Sequence, residues 1–301
     1  MGIKQTVKKS FWGEYLISLY HCALCKIMPR LIDDEKAVKK FYKKKSGKEL
    51  DLNKPQTFAE KLNWYKLNDR DPLMQICADK VAVRDYIKEK GYGDCLNAVY
   101  GVYDRVEDID IDSLPNQFVI KAAHGSHMIY IVKDKSTFDW KHAKKMMKTW
   151  LKQDIYWSGR EWVYKDMPKR LIVEKYLEDE SAELVDYKFF CFDGKPCFVQ
   201  YTSNRFSDEI IQNFYDLDWR LLPFGKSIPH NPYFEVKKPI LLAEMIKMVK
   251  VLCKQFRFVR VDLYEVQGKV LFGELTFFPG GGIPDFIPSE YDQIVGQMWT
   301  I

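Results

Sequence analysis

Two carboxylates, Asp262 and Glu274, stand inside the apolar, strand-like runs VRVDLYEV and FGELTFFPGGG. A carboxylate buried in a strand is costly unless a cation pairs with it. Whether these two side chains meet depends on the turn at Gly268. A two-residue turn at 267–268 puts them on opposite faces of the hairpin. A three-residue loop at 267–269 pairs position 262 with position 274 and brings Thr276 onto the same face.

Two carboxylates on one face repel each other unless a proton or a cation lies between them. A hard divalent ion such as Mg²⁺ is the natural bridge, and Mg²⁺ usually binds together with phosphates. The metal interpretation therefore requires the three-residue loop. The alternative, which this hairpin alone leaves open, is a pair of solvent-facing carboxylates on an edge hairpin.

Three lysines interrupt other apolar segments. Lys121 closes the strand FVIK, and Lys188 lies in DYKFF. Lys80 lies in ADKVAV, which the pattern places in the third turn of a helix from Pro72 to Gly91. One such lysine alone is usually a side chain whose ammonium reaches solvent. Three of them beside a carboxylate pair favour an anionic ligand with several charges, such as a triphosphate.

The segment AHGSHM lies between two strand-like runs, 118–122 and 129–133, and is predicted to be a hairpin loop. With Gly125 and Ser126 at its centre, its backbone N–H groups are candidates for binding phosphate oxygens. Glu174 lies at the end of the strand-like run RLIVEKYL, where it could meet a purine edge. The alternative for Glu174 is an exposed charge at a strand end.

The composition is that of an ordinary globular protein, and it limits the other classes. The 301 residues carry a formal net charge of +5, too small to indicate nucleic acid by itself and suited to an anionic substrate. Seven scattered cysteines favour a reducing compartment over a disulfide framework. Residues 8–30 have basic flanks and an aromatic middle. They predict either a helix packed on the body of the protein or an interfacial helix at the cytoplasmic membrane face.

Hairpins dominate the middle and the end of the chain. The strongest is DYKFFCFDGKPCFVQYT, which turns at Asp193-Gly194. Helices are predicted over about 139–154 and over the segment KPILLAEMIKMVKVLCKQF. Hairpins without strict strand–helix–strand alternation indicate an α+β fold with antiparallel sheets.

The order of the segments ADK, FVIK, HGS, VEKY, DYK, VRVDLY and GELTFFPGGG resembles an ATP-grasp enzyme. More closely it resembles the TupA-like branch, named for teichuronopeptide biosynthesis and found with bacterial surface-polysaccharide genes. The resemblance covers residues 50–296. It implies ATP between two antiparallel-sheet lobes, with a helical extension at 1–50, a helical and linker part at 51–117, a small lobe at 118–177 and a large lobe with the metal site at 178–301.

The resemblance also implies roles for individual residues. The residues expected to bind ATP are Lys80, Lys121, Gly125, Ser126, Glu174 and Tyr176, with Asp186 or Glu183 at the ribose. Lys188 is expected near the γ-phosphate with help from Arg205, and Asp262 and Glu274 are expected to hold Mg²⁺. Thr276 stands where many relatives have Asn, and its hydroxyl could still bind the ion or its water.

The implied activity is an ATP-dependent carboxylate–amine ligase that acts through an acyl phosphate. The expected partners are a carboxylate-bearing sugar or polysaccharide precursor of a bacterial capsule and an amine or amino acid, in the cytoplasm or at the inner membrane face. Gly280–Gly282 could supply N–H groups to the acceptor carboxylate or only allow a turn. The alternatives are a polysaccharide glycosyltransferase, an ATP-grasp sugar kinase and a catalytically inactive nucleotide-binding scaffold.

Overall fold

A computed structural model describes residues 13, 15–20, 31–178, 184–203, 210–234 and 236–301. The chain divides into two compact units. Unit 1 comprises 1–37, 79–83 and 97–176, and unit 2 comprises 38–78, 84–96 and 177–301. The domain limits predicted from the sequence stay predictions. Within the described residues, no helix has the length and apolarity that a membrane span requires.

Unit 1 contains a four-stranded antiparallel sheet in the order β1-β4-β2-β3. The strands β2 and β3 form the predicted hairpin around the AHGSHM loop, in which Lys121 pairs with Ile129. Apolar side chains of β2 (Phe118–Ala122) and β4 (Leu171–Lys175) pack with the helix α5 (Trp140–Trp150) into one core. The strands are β1 (Val99–Tyr103), β2 (Phe118–Ala122), β3 (Ile129–Val132) and β4 (Leu171–Lys175), and the helices of unit 1 include α5 (Trp140–Trp150) and α6 (Tyr156–Gly159). Residues 13 and 15–20 are also helical.

The long helix predicted from Pro72 to Gly91 is wrong. The structure has two short helices, α3 (Pro72–Ala78) and α4 (Val83–Glu89). The chain leaves the helix between them because the Asp79 carboxylate accepts from the N–H groups of Val81 and Ala82, at 2.7 and 3.3 Å. Such side-chain caps compete with helix hydrogen bonds. Lys80 therefore lies in a turn and not in the third turn of a helix.

Unit 2 contains a five-stranded antiparallel sheet in the order β10-β9-β5-β6-β7 and a two-stranded sheet of β11 and β8. The predicted turn at Asp193-Gly194 joins β5 to β6. The strands are β5 (Asp186–Phe192), β6 (Lys195–Ser203), β7 (Ile211–Tyr215), β8 (Gly225–Lys226), β9 (Phe258–Val266), β10 (Lys269–Thr276) and β11 (Phe286–Ile287). Its helices include α2 (Phe58–Asn68), α7 (Leu242–Leu252) and α8 (Tyr291–Gly296), and α1 (Asp34–Ser46) crosses the limit at residue 38.

Helix α2 is fixed to unit 2 at its beginning. Thr57 and Glu60 form a capping box, which satisfies two N–H groups of the first turn. The buried carboxylate of Asp292 accepts from the Ala59 N–H at 3.0 Å. Burial raises the pKa of Asp292. The Phe58 ring packs edge-on against the ring of Phe258, with centroids 5.2 Å apart. The helix therefore has a defined position in the core of its unit.

The hairpin β9–β10 differs from the predicted one in its turn. Gln267 and Gly268 form a two-residue turn, with φ of 50° and 71°, so Val266 pairs with Lys269. A β-bulge at Gly273 then shifts the register by one residue, and Glu274 pairs with Asp262 after all. The predicted three-residue loop is wrong, but the bulge brings both carboxylates to neighbouring positions.

We expect Gly273→Ala to disturb this register. A Cβ at position 273 would lie 2.9 Å from the Asp262 carbonyl oxygen and 2.9 Å from the Tyr264 ring, so the backbone or the ring must shift. Thermal unfolding should show a loss of about 1–3 kcal/mol, the usual cost of overpacking. The control is Gly268→Asn, because Asn tolerates positive φ and a Cβ there meets no atom within 4 Å. Equal stability of both variants would contradict the role of the bulge.

Candidate functional site

The centre of the candidate site in unit 2 is the guanidinium of Arg260. Its Nε donates to Oδ1 of Asp262 at 2.7 Å, and its Nη2 donates to Oδ2 of the same carboxylate at 2.6 Å. The same Nη2 lies 3.2 Å from Oε1 of Glu274 and 3.1 Å from Oγ1 of Thr276. The Thr276 hydroxyl in turn donates to Glu274 Oε1 at 2.9 Å. One arginine therefore binds all three residues predicted as metal ligands.

The strands explain why these side chains meet. Arg260 and Asp262 lie two residues apart on β9, so they point to one face of the sheet. On β10, Thr276 pairs with Arg260 and Glu274 pairs with Asp262. On the other side of β9, Lys188 of β5 pairs with Asp262. Three adjacent strands therefore place the five side chains on one face.

Lys188 is the second cation of this cluster. Its ammonium lies 2.9 Å from Oδ1 of Asp186 and 3.1 Å from Oδ2 of Asp262. All three side chains are buried. The sequence predicted Lys188 near a γ-phosphate and Asp186 at a ribose. In the structure the two residues pair with each other, and their predicted roles toward ATP stay predictions.

Burial and charge shift the pKa values in opposite directions here. Burial raises the pKa of Asp262, and the charges of Arg260 and Lys188 oppose that rise. Burial disfavours the charged Arg260 side chain, but attraction by Asp262, together with its hydrogen bond and the charge of Glu274, raises the pKa of the guanidinium. Arg260 is therefore a permanent positive charge at the predicted metal-binding face.

The donor set fits a Mg²⁺ ion in part. Glu274 is 42% exposed and open to an ion from solvent. A carboxylate has about four acceptor positions, and the two Arg260 bonds and the Lys188 bond use three of those of Asp262. Among the described residues, no three His, Cys, Asp or Glu side chains are grouped to hold a metal. Two carboxylates plus substrate phosphates are nevertheless the usual Mg²⁺ environment at nucleotide sites.

Unit 1 brings together a second group of the predicted residues. The Lys121 ammonium lies 2.7 Å from Oε2 of Glu174, on neighbouring strands β2 and β4, and both side chains are at most 29% exposed. Tyr176 follows one residue after β4 and is half-buried. The sheet thus brings Lys121 and Glu174 together, which the sequence did not predict, and the contacts predicted for Lys121, Glu174 and Tyr176 with ATP stay predictions.

Lys80 contacts the AHGSHM loop of unit 1, which was predicted to bind phosphate. The Lys80 ammonium donates to the Gly125 carbonyl at 2.5 Å, and the backbone N–H of Lys80 donates to the Ala123 carbonyl at 3.3 Å. Gly125 is buried and Ser126 is exposed. His127 has φ of 62°, a conformation that favours glycine. The predicted lysine and loop are thus in contact, whereas Glu183 and Arg205 lie outside the described residues.

Arg260 was not predicted from the sequence as a site residue, although it lies in the segment VRVDLY. The available signal was its position two residues before Asp262 on a strand, which puts both on one face. The buried Lys66 and the buried Lys226 were not predicted either. Burial lowers the pKa of Lys226, which is paired with Asp285 at 2.5 Å. Both lysines lie in segments whose helical or loop pattern gave no sign of burial.

These observations describe an α+β protein whose antiparallel sheets carry one acidic and basic cluster in unit 2 and one lysine–glutamate pair in unit 1. The model of the TupA-like ATP-grasp family matches residues 60–300. The chain therefore belongs to this family, and its fold is the ATP-grasp fold. A search of curated proteins found no significant match.

Three of the solved structures with similar folds are ligases. One is D-alanine–D-alanine ligase from Bacillus anthracis complexed with ATP, with 16% identity, a TM-score of 0.40 and coverage of 67% of this chain and 55% of that chain. Another is L-amino acid ligase from Bacillus licheniformis, with 13% identity, a TM-score of 0.47 and coverage of 77% and 50%. A third is D-alanine–D-alanine ligase from Helicobacter pylori, with 14% identity, a TM-score of 0.39 and coverage of 75% and 62%. The alignment thus spans less than two thirds of each ligase.

We expect Arg260→Met to destabilise unit 2. The change removes three of the hydrogen bonds and ion pairs of Asp262 and Glu274 and leaves Asp262 buried with Lys188 alone. Breaking a buried ion pair costs about 3–5 kcal/mol, which urea denaturation can measure. The double variant Arg260→Met with Asp262→Asn should recover part of this loss, because position 262 then carries no buried charge that lacks the arginine. A loss that the second change does not reduce would contradict the assigned pairing.

Proposed function

We propose that the protein is an ATP-dependent carboxylate–amine ligase that activates the carboxylate as an acyl phosphate. The observation that carries the proposal is the cluster in which Arg260 and Lys188 neutralise the carboxylates of Asp262 and Glu274 on one sheet face. Membership of an ATP-grasp family supports it. Phosphoryl transfer depends mainly on positioning and on neutralising charge, and such a cluster is suited to both tasks.

Lys80, Lys121, Gly125, Ser126, Glu174 and Tyr176, with Asp186 or Glu183 at the ribose, are proposed to bind ATP. Asp262 and Glu274, with Thr276 through its hydroxyl, are proposed to hold Mg²⁺. The ion would neutralise negative charge on the phosphates. Lys188, assisted by Arg205, would bind the transferring γ-phosphoryl group, and Arg260 would hold the two metal-binding carboxylates in place.

The reaction has two steps. A carboxylate oxygen of the acceptor attacks the γ-phosphorus of ATP, the bond to the β-phosphate oxygen breaks, and ADP leaves. The amine nitrogen then attacks the acyl carbon, loses a proton and expels inorganic phosphate, which gives an amide. Backbone N–H groups of the Gly280–Gly282 segment are proposed to bind the acceptor carboxylate and the oxyanion that forms on it. Those of Gly280 and Gly282 are the candidates, because the Gly281 N–H donates to the Phe278 carbonyl at 2.9 Å.

We propose as acceptor a uronic acid, or a similar carboxylate-bearing sugar, of a bacterial capsule or other surface polysaccharide, and as donor an amine or amino acid. The net charge of +5 suits an anionic acceptor. The expected location is the cytoplasm, with residues 8–30 as a candidate contact to the inner face of the membrane. A glycosyltransferase and a sugar kinase are the alternatives that the following assay distinguishes.

The proposal is tested by incubating the protein with ATP, Mg²⁺, a panel of uronic acids, and ammonium or amino acids. Mass spectrometry then identifies the products. ADP, phosphate and an amide are expected. ADP with a phosphorylated sugar would instead identify a kinase, and turnover of a UDP-sugar without ATP would identify a glycosyltransferase. Either of these results rejects the ligase.

Glu274→Gln should abolish this turnover with little change in stability. The amide is nearly isosteric but lacks the charge that a divalent ion needs, so we expect at least about a hundredfold lower kcat/KM, comparable to the loss of one strong electrostatic contact. The control is Glu265→Gln on the same hairpin, whose side chain accepts a long 3.4 Å bond from the Leu241 N–H. Full activity of Glu274→Gln would reject the metal assignment.

Lys121→Met should weaken ATP binding, because it removes the ammonium that faces Glu174 and the proposed nucleotide. We expect the Kd of a fluorescent ATP analogue to rise about tenfold or more, the usual worth of a charge-assisted contact. Lys133→Met, at an exposed lysine just after β3, serves as the control for loss of one positive charge. Equal affinity of both variants would contradict the assignment of Lys121.

A further inference from the structure

The glycines that follow Glu274 form a loop with a defined backbone. Residues Pro279–Gly282 make a short 3₁₀-type turn in which φ is 64° at Gly280, 65° at Gly281 and 78° at Gly282. Three successive residues with positive φ are costly for any residue except glycine. The Gly281 N–H donates to the Phe278 carbonyl at 2.9 Å. We call Gly280–Gly282 the glycine loop.

Two side chains of helix α2 bind carbonyl groups of the glycine loop. The Lys66 ammonium donates to the Gly281 carbonyl at 2.7 Å. The Asn63 amide donates to the Gly282 carbonyl at 2.7 Å and to the Ala59 carbonyl of its own helix at 2.8 Å. The fit is tight, since a Cβ on Gly282 would lie 2.8–3.1 Å from the Asn63 amide. The loop is therefore held to one face of α2.

These contacts are costly for a purely structural role. Lys66 and Asn63 are each 1% exposed, and burying a lysine carries a large desolvation penalty. An apolar helix face could fill the same volume without this cost. A second buried lysine, Lys226, is paired with Asp285 and lies 3.5 Å from where a Cβ of Gly280 would be.

We propose that Asn63 and Lys66 are positioning residues that fix the glycine loop in the orientation needed to bind the acceptor carboxylate. The inference deepens the proposed function and rests on it for the identity of the ligand. By binding the carbonyl oxygens of Gly281 and Gly282, the two side chains point these carbonyls toward α2. The N–H of Gly282 lies opposite the Gly281 carbonyl in a trans peptide, so it points away from α2 and toward the proposed carboxylate. Neither side chain contacts the acceptor itself.

The test compares Lys66→Met and Asn63→Leu with the wild type in two measurements. Hydrogen exchange of a peptide covering 277–286 reports on the loop, without and with D-glucuronate, Mg²⁺ and a non-hydrolysable ATP analogue. Steady-state kinetics report the KM for the acceptor and for ATP. Both variants should exchange faster in 277–286 and lose the protection by D-glucuronate. Their kcat/KM for the acceptor should fall roughly ten- to a hundredfold, because small misplacements have such effects, while the KM for ATP stays unchanged.

Asn213→Leu is the matched control. Asn213 is fully buried in the same unit and also holds a loop, since its amide donates to the Asn231 carbonyl at 2.9 Å. This variant should lose stability without changing exchange in 277–286 or the KM for the acceptor. Lys66→Arg retains N–H donors at position 66 and should restore most of the kcat/KM that Lys66→Met loses.

Two results would overturn the inference. One is that Lys66→Met and Asn63→Leu have the same kcat/KM and KM for the acceptor as Asn213→Leu. Asn63 and Lys66 would then have a structural role only. The other is wild-type turnover of an acceptor that gives no protection of 277–286. If the wild type instead shows protection by D-glucuronate but no ligase turnover, the proposed reaction fails and the carboxylate site at the glycine loop stands.

Discussion

The contact between Arg260 and Asp262 is the interaction on which the candidate site depends. Asp262 is 2% exposed, and its carboxylate would be very costly there without a cation. Arg260 supplies that cation from the same strand and extends to Glu274 and Thr276 on the next one. The question raised by a carboxylate inside an apolar run therefore has an answer within the chain itself. A metal ion would add to this arrangement and not replace it.

The register of one hairpin decides whether this contact can form. A two-residue turn alone would place Glu274 on the face opposite Asp262. The bulge at Gly273 corrects the register before the chain reaches the glycine loop. It needs glycine because the Asp262 carbonyl lies too close for a Cβ. The same segment thus contains glycines with two different tasks. Gly273 sets the register of a strand, and Gly280–Gly282 permit positive φ in a loop.

The strands and hairpins were predictable from the sequence because alternating apolar residues and the turn at Asp193-Gly194 are local signals. The grouping of Lys188, Asp262 and Glu274 was also predictable from the order of motifs. The helix break at Asp79 was not predictable. Helix propensity ranks Asp only as a weak helix former and does not show that its carboxylate binds the N–H of Val81. Arg260 was not recognised because a buried carboxylate that pairs with an arginine and one that binds a metal can have the same sequence pattern.

The lysines show why the chemistry of a motif and its structural role are hard to separate in a sequence. Lys80 was predicted to bind phosphate, and in unit 1 its ammonium binds the carbonyl of Gly125. In unit 2 the unpredicted Lys66 binds the carbonyl of Gly281 in the same way. A buried ammonium needs an oxygen partner, and a peptide carbonyl and a phosphate both provide one. A lysine that holds a glycine loop in a ligand-binding shape can therefore be as important for binding as one that touches the ligand.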